Sequence, residues 1–156
     1  MNEKQINRFV NSYMRTYIFA FKEVNQAIEN VQFEQKKISV EQFFLLRELT
    51  QNGSMSATEL SNSLNVNKSA ISAKIHNLEE KGLLVRTENP TDRRAIMLHI
   101  SESGNSIFKL CEMEMKNLVH KWLQQLGDED ADLFMNLYDK VMDSVVETHA
   151  RGGNKV

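Results

Sequence analysis

Between Asn67 and Lys74 the chain places Lys68, Ser69, Ser72 and Lys74 on the outer side of a three-and-four repeat whose inner side is Ile71, Ile75 and Leu78. Lysine ammonium groups neutralise phosphate charge, and serine hydroxyls donate to or accept from phosphates and base edges. Ala73 beside them is small enough to allow close approach. Asn67 stands where it can cap the helix, whose positive end would then face an anion. A second constellation is Asp92-Arg93-Arg94, directly after the turn signal Asn89-Pro90-Thr91. An arginine on a hairpin tip can enter the minor groove, where the negative potential is strongest. A neighbouring carboxylate can hold its guanidinium in a bidentate pair and aim it.

Other chemistries find little support. No P-loop, nucleophile elbow or HExxH is present. The four histidines, His76, His99, His120 and His149, are too far apart for a metal motif, so no metal and no cofactor are expected. His76 reads as a surface residue. Cys111 is the single cysteine and shares a helical stripe with Ile107, Met115, Leu118 and Trp122, the setting of a small core hydrophobe. The cluster Asp128-Glu129-Asp130 at a helix start is explained by the helix dipole.

Elements must position these residues. A repeat of Ile6, Val10, Tyr13, Tyr17, Phe21, Val24 and Ile28 predicts one amphipathic helix from about Gln5 to Asn30. Gln32 to Lys37 reads as a loop. Ser39 is the expected N-cap of a helix with Phe43, Leu46 and Leu49 inward, ended by Asn52-Gly53. Ser56-Ala57-Thr58-Glu59 is a capping box for a short helix carrying Leu60 and Leu64 inward. Asn65-Val66-Asn67 makes a tight turn into the Lys68 helix, which Gly82 closes in a left-handed conformation. The period then becomes two. Leu84–Glu88 and Ala95–Ile100 predict a hairpin with a long charged tip. Ser101 caps a further helix, Gly127 breaks it, Leu133, Leu137, Val141 and Val145 mark a last one, and residues 151–156 are expected to fray.

Helix, short helix, tight turn, helix and hairpin form the winged helix-turn-helix order, with the second helix of the pair as groove reader. From Ile38 to Ser101 the chain resembles the MarR family of bacterial regulators. The resemblance rests on Ser39…Gln42-Phe43…Leu46…Leu49, on Ile71-Ser72…Ile75…Leu78-Glu79…Gly82-Leu83, and most specifically on Asp92-Arg93-Arg94-Ala95-Ile96-Met97-Leu98-His99-Ile100-Ser101. It covers about 60 residues in detail, and the remaining helices agree in order and length. It implies a homodimer in which the N-terminal helix and last two helices of each chain intertwine. Recognition helices would then meet major grooves about 34 Å apart on a pseudo-palindrome. It also implies a repressor released by a small-molecule ligand bound between the dimerisation and DNA-binding parts. Many relatives carry arginine where Ala73 stands, so base preference does not carry over; Lys74 is placed to take a phosphate contact instead.

The bulk properties agree. The 156 residues are 41% hydrophobic and 26% charged, with one proline and six glycines, which favours helix. The net charge of −2 excludes a generally basic nucleic-acid binder, so a DNA surface must come from charge placement. A single cysteine, no secretory signal and no bilayer-length apolar run point to a cytoplasmic, non-membrane protein. The expected fold is mainly α with a small β-hairpin wing: one MarR-type domain over 1–156, with dimerisation helices at 1–37 and 102–150 and a winged helix-turn-helix at 38–101. The expected function is sequence-specific regulation of transcription, without enzymatic activity. Double-stranded DNA would be read by Asn67, Lys68, Ser69, Ser72, Lys74, Asp92, Arg93 and Arg94. Two other readings stay open at this level: a winged-helix protein-interaction module without DNA binding, and an oxidant sensor acting through Cys111.

Overall fold

The computed structural model describes residues 2–89 and 96–152, with side chains as far as 147. The chain divides into two compact units, residues 1–116 and 117–156.

In the first unit, α1 (Glu3–Arg15) begins in a capping box. Asn2 accepts from the Gln5 amide, and the Gln5 side chain accepts from the Asn2 amide. The helix leads through a π-helical turn at Thr16–Ala20 into α2 (Phe21–Glu29). The sequence predicts an uninterrupted α-helix here. Instead the Ser12 carbonyl is shared between the Thr16 amide and the Thr16 hydroxyl (3.0 Å), and the wider turn follows. The loop to α3 is a small turn in which Phe33 pairs with Lys36, with Glu34 and Gln35 at positive φ.

Helix α3 (Val40–Asn52) starts in a capping box of Ser39 and Gln42 and ends at Gly53, φ 76°. Helix α4 (Ala57–Ser63) starts in the Ser56–Glu59 box. Asn65, at φ 50°, makes the tight turn into α5 (Lys68–Glu80). Ile28, Val40, Leu45, Leu46, Leu60, Ile71, Ile75, Leu78, Leu83, Leu98, Ile107 and Cys111 form the heart of one apolar core. The inward residues expected on α3 and α5 are buried, and Leu64 of the α4 turn is half-buried.

Gly82 takes the left-handed conformation, φ 65°, and the chain enters β1 (Leu84–Glu88). It pairs antiparallel with β2 (Ile96–Ile100) in the register Leu84↔Ile100, Arg86↔Leu98, Glu88↔Ile96. Met55 forms an isolated antiparallel bridge with Leu98, on the edge of β2 away from β1. Leu98 is buried while Ile96, farther out on the wing, is exposed. Ala95, expected in the second strand, lies outside the described residues, as does the turn at Pro90-Thr91.

Helix α6 (Glu102–Leu123) opens on Ser101, whose hydroxyl accepts from the Gly104 amide (3.0 Å) and donates to the Gly82 carbonyl (2.7 Å). A Cβ on Gly104 would stand 2.0 Å from the Leu83 carbonyl oxygen, so glycine lets α6 lie directly against the strand entry. The α6 stripe is buried at Ile107 and Cys111, half-buried at Met115 and exposed at Trp122.

The second unit holds the end of α6, a left-handed turn at Gly127 (φ 72°), and α7 (Asp128–Gly152). Asp128, Glu129 and Asp130 occupy the first turn of α7, where the helix dipole favours them. The α7 backbone is helical through Gly152, so the fraying expected from 151 does not begin there; 153–156 lie outside the described residues.

Candidate nucleic-acid interface

Helix α5 is anchored by its apolar face and by polar links on either side of it. Ile71, Ile75 and Leu78 are each no more than 1% exposed. From α3, Gln42 Nε2 donates to Asn77 Oδ1 at 2.7 Å. From β1, Arg86 grips Glu79 with both Nε and a terminal nitrogen, the latter at 2.8 Å. This pair raises the arginine pKa through the Glu79 hydrogen bond, with burial opposing it and the Glu79 charge adding to it. At the helix end, Lys81 Nζ donates to the Lys37 carbonyl at 2.8 Å. Burial lowers the Lys81 pKa.

The opposite face is open. Lys68, Ser69, Ser72 and Ala73 are exposed. Ser72 donates its hydroxyl proton to the Lys68 carbonyl (2.7 Å), so its oxygen keeps only acceptor capacity for a further partner. Lys74 is half-buried and looks toward α3, where its charge helps lower the Glu41 pKa behind hydrogen bonds from Ser39 and the Glu41 backbone. His76 lies exposed, 3.5 Å from Glu80.

Asn67 occupies the N-cap position but its side chain makes no cap hydrogen bond, contrary to the sequence expectation. Its backbone is correctly extended (φ −65°, ψ 143°), so the helix starts there while its first amides receive nothing from that side chain. Among the described residues, α5 is also the one α-helix without an acidic residue in its first turn. An uncapped, acid-free helix start flanked by an exposed lysine and serines is suited to a phosphate oxygen.

Asp92, Arg93 and Arg94 lie outside the described residues. At the base of the wing, Thr87 Oγ1 and His99 Nε2 are 2.7 Å apart across the two strands. The links that hold α5 escape a search for outward polar residues. Gln42 carried a signal, because Ser-x-x-Gln is a capping-box spacing. Glu79 and Arg86 sit on different elements, and no local pattern joins them.

Cys111 is fully buried, and its thiol pKa is pushed up to about 11 by burial and then by the Glu114 charge. Among the described residues no group of three or more histidine, cysteine or acidic side chains is arranged to hold a metal. None of their helices is long and apolar enough to cross a membrane.

A short capped helix, a tight turn, a second helix with small polar and basic residues outward, and an antiparallel hairpin define a winged helix-turn-helix protein. Residues 38–96 match the model of the MarR family, and over this region the chain is similar to it. The HTH-type transcriptional repressor MdtR of Bacillus subtilis (strain 168) is 30% identical over 97 residues, 62% of this chain and 63% of its own. YdgG of the same strain, named an uncharacterized HTH-type transcriptional regulator, is 27% identical over 99% of this chain and 98% of its own. A MarR family protein from Bacillus stearothermophilus shares the fold with a TM-score of 0.80, covering 94% of this chain and 99% of its own at 19% identity. The chain is thus similar to proteins named HTH-type transcriptional regulators, and it spans 63% of the length of MdtR.

Proposed function

We propose that the chain acts as a cytoplasmic homodimeric repressor that reads a pseudo-palindromic operator and is released by a small-molecule inducer, without catalysing a reaction. In this reading residues 38–101 bind DNA, while 1–37 and 102–150 supply dimerisation helices. Asn67, Lys68, Ser69, Ser72 and Lys74 meet the major groove, and Asp92, Arg93 and Arg94 serve the minor groove. The carrying observation is α5 itself: a helix locked on three sides whose open side combines an uncapped positive end with Lys68, Ser69 and Ser72. The family supports the repressor and inducer parts, and MdtR is itself named a repressor. A groove of about 270 Å³ between the end of α2 and α6, lined by Val31, Leu110, Met113 and Glu114 among others, lies just below the usual range for small-molecule sites.

The test is fluorescence anisotropy on duplex DNA from upstream of the protein's own gene, against a scrambled duplex, over a salt series. Preferential binding that weakens steeply with salt is the expected result. Absence of binding to any duplex would overturn this reading in favour of a winged helix that docks on protein. In the same assay Arg94→Ala should lose at least about tenfold in affinity, about 1.4 kcal/mol. Oxidant sensing through Cys111 is disfavoured by the buried thiol; it would require peroxide to change DNA affinity in the parent and not in Cys111→Ser.

A further inference from the structure

Among the described residues two polar side chains sit in the apolar core, Ser61 and Gln42. Ser61 is satisfied locally, its hydroxyl donating to the Thr58 carbonyl at 2.9 Å. Gln42, only 6% exposed, instead joins two elements. Its Oε1 accepts from the Ser39 amide (3.1 Å), and its Nε2 donates to Asn77 Oδ1 (2.7 Å). The orientation is forced, because a backbone N–H can only donate. The amide oxygen must face Ser39, the amide nitrogen must face Asn77, and Asn77 must present its oxygen.

An apolar side chain of similar volume would fill this space without burying an amide. It could not define one rotation of α5. The contacts of Ile71, Ile75 and Leu78 are non-directional and tolerate a small roll of the helix. A 2.7 Å hydrogen bond to Asn77 does not. Asn77 lies five residues beyond Ser72, and a roll of α5 there would carry Lys68, Ser69 and Ser72 sideways together.

The geometry points to Gln42 as a positioning residue for DNA reading. Through Asn77 it fixes the rotation of α5 from the α3 side, as the Arg86–Glu79 pair does from the β1 side, so that the outward residues meet base edges in one register. The inference rests on the reading of α5 as the DNA-reading helix. Gln42 also closes the α3 capping box, and Lys37 two residues before Ser39 accepts from Lys81. Segment 37–42 is therefore tied at two points to α5 and its C-terminal cap.

The test compares Gln42→Met, Gln42→Glu, Asn77→Asp and the double variant Gln42→Glu/Asn77→Asp. Two quantities are read: amide hydrogen exchange along α5 without DNA, and the affinity ratio between upstream and scrambled duplexes. The ratio matters because an added negative charge weakens specific and non-specific binding alike. Each single polar variant should stay within about threefold of the parent ratio. The introduced carboxylate at 42 still accepts from Ser39 and from a turned Asn77 amide, and the one at 77 still accepts from Gln42. The double variant faces two carboxylates, and Gln42→Met has no partner for Asn77. Both should raise α5 exchange at least about tenfold relative to α4 and lower the ratio at least about tenfold, about 1.4 kcal/mol. If Gln42→Met does not fold, the double variant decides against its two singles.

Unchanged α5 exchange in the double variant overturns the tether. Raised exchange with an unchanged ratio overturns its part in reading DNA. A parent protein that binds without preferring the upstream duplex overturns the reading of α5 itself, while the exchange pattern still decides the tether.

Discussion

Lys68 is exposed at the first position of α5, where its ammonium adds to the positive end of the helix. In the proposed reading a phosphate contact there carries no sequence information, whereas Ser69 and Ser72 are the residues assigned to base edges. The two kinds of residue should separate experimentally. Lys68→Ala is expected to weaken binding to the upstream and scrambled duplexes by a similar factor and to reduce the salt slope by about one, measured by anisotropy over a salt series. An unchanged slope would remove Lys68 from the phosphate contacts. Cys111 argues at the same scale. A raised thiol pKa means that the native state keeps the proton that the unfolded chain releases. Its contribution to stability is therefore fully present below the ordinary thiol value of 9 and is lost as pH rises toward about 11. Urea midpoints should fall between these values more steeply for the parent than for Cys111→Ala. The thiolate is the reactive form, so the same burial keeps Cys111 inert toward peroxide at neutral pH.

At the scale of elements, the most instructive substitution is Gly104→Ala. In an ordinary helix this exchange gains about 1 kcal/mol. Here the new Cβ would meet the Leu83 carbonyl oxygen at 2.0 Å and the Ile100 side chain at 2.8 Å. Because backbone cannot step aside as a flexible side chain can, the sign should reverse. A loss of about 1–3 kcal/mol is expected, read from chemical denaturation, and a stabilised variant would mean that α6 stands off the strand entry. Nothing in the sequence marks Gly104 as special, since the approach of α6 to Leu83 is a tertiary fact. The same division recurs along the chain. The caps at Ser39, Ser56 and Ser101 and the turn at Gly82 were legible because capping and left-handed turns are short-range chemistry. The Thr16–Ala20 π turn was not, because the periodicity of Tyr13, Tyr17 and Phe21 fits an α-helix equally well. Asn67 departs from its type: asparagine favours capping, yet only its backbone takes the role. The outward set on α5 was readable from its period, but the half-buried place of Lys74 beside Glu41 depends on how α3 crosses it.

At the scale of the whole molecule, the apolar surface requires an occupant. On α1 and its π turn, Phe9, Tyr13, Tyr17 and Phe19 are each more than half exposed. On α7, Leu133, Leu137, Val145 and Val146 are equally open. Monomeric soluble proteins rarely expose continuous apolar patches of this extent. These segments belong to the helices for which the family resemblance implies dimerisation. The amphipathic pattern was legible, but how much of each face the chain would cover by itself was not. A second copy of this chain fits both observations, since a two-fold interface uses the same patch on each partner. Sedimentation at micromolar concentration should therefore give about twice 18.0 kDa. The melting temperature should rise with protein concentration, as association stabilises the folded chain by mass action. Tyr17→Glu and Leu137→Glu, one on each patch, place a charge where the partner would remove water. Each should shift the mass toward the monomer and weaken upstream-duplex binding far more than Lys68→Ala does, because losing the partner removes an entire half-site rather than one phosphate contact. Helical circular dichroism would verify that the charged variants still fold. A parent that sediments at 18.0 kDa throughout would separate DNA reading from dimerisation and leave these faces for a different protein.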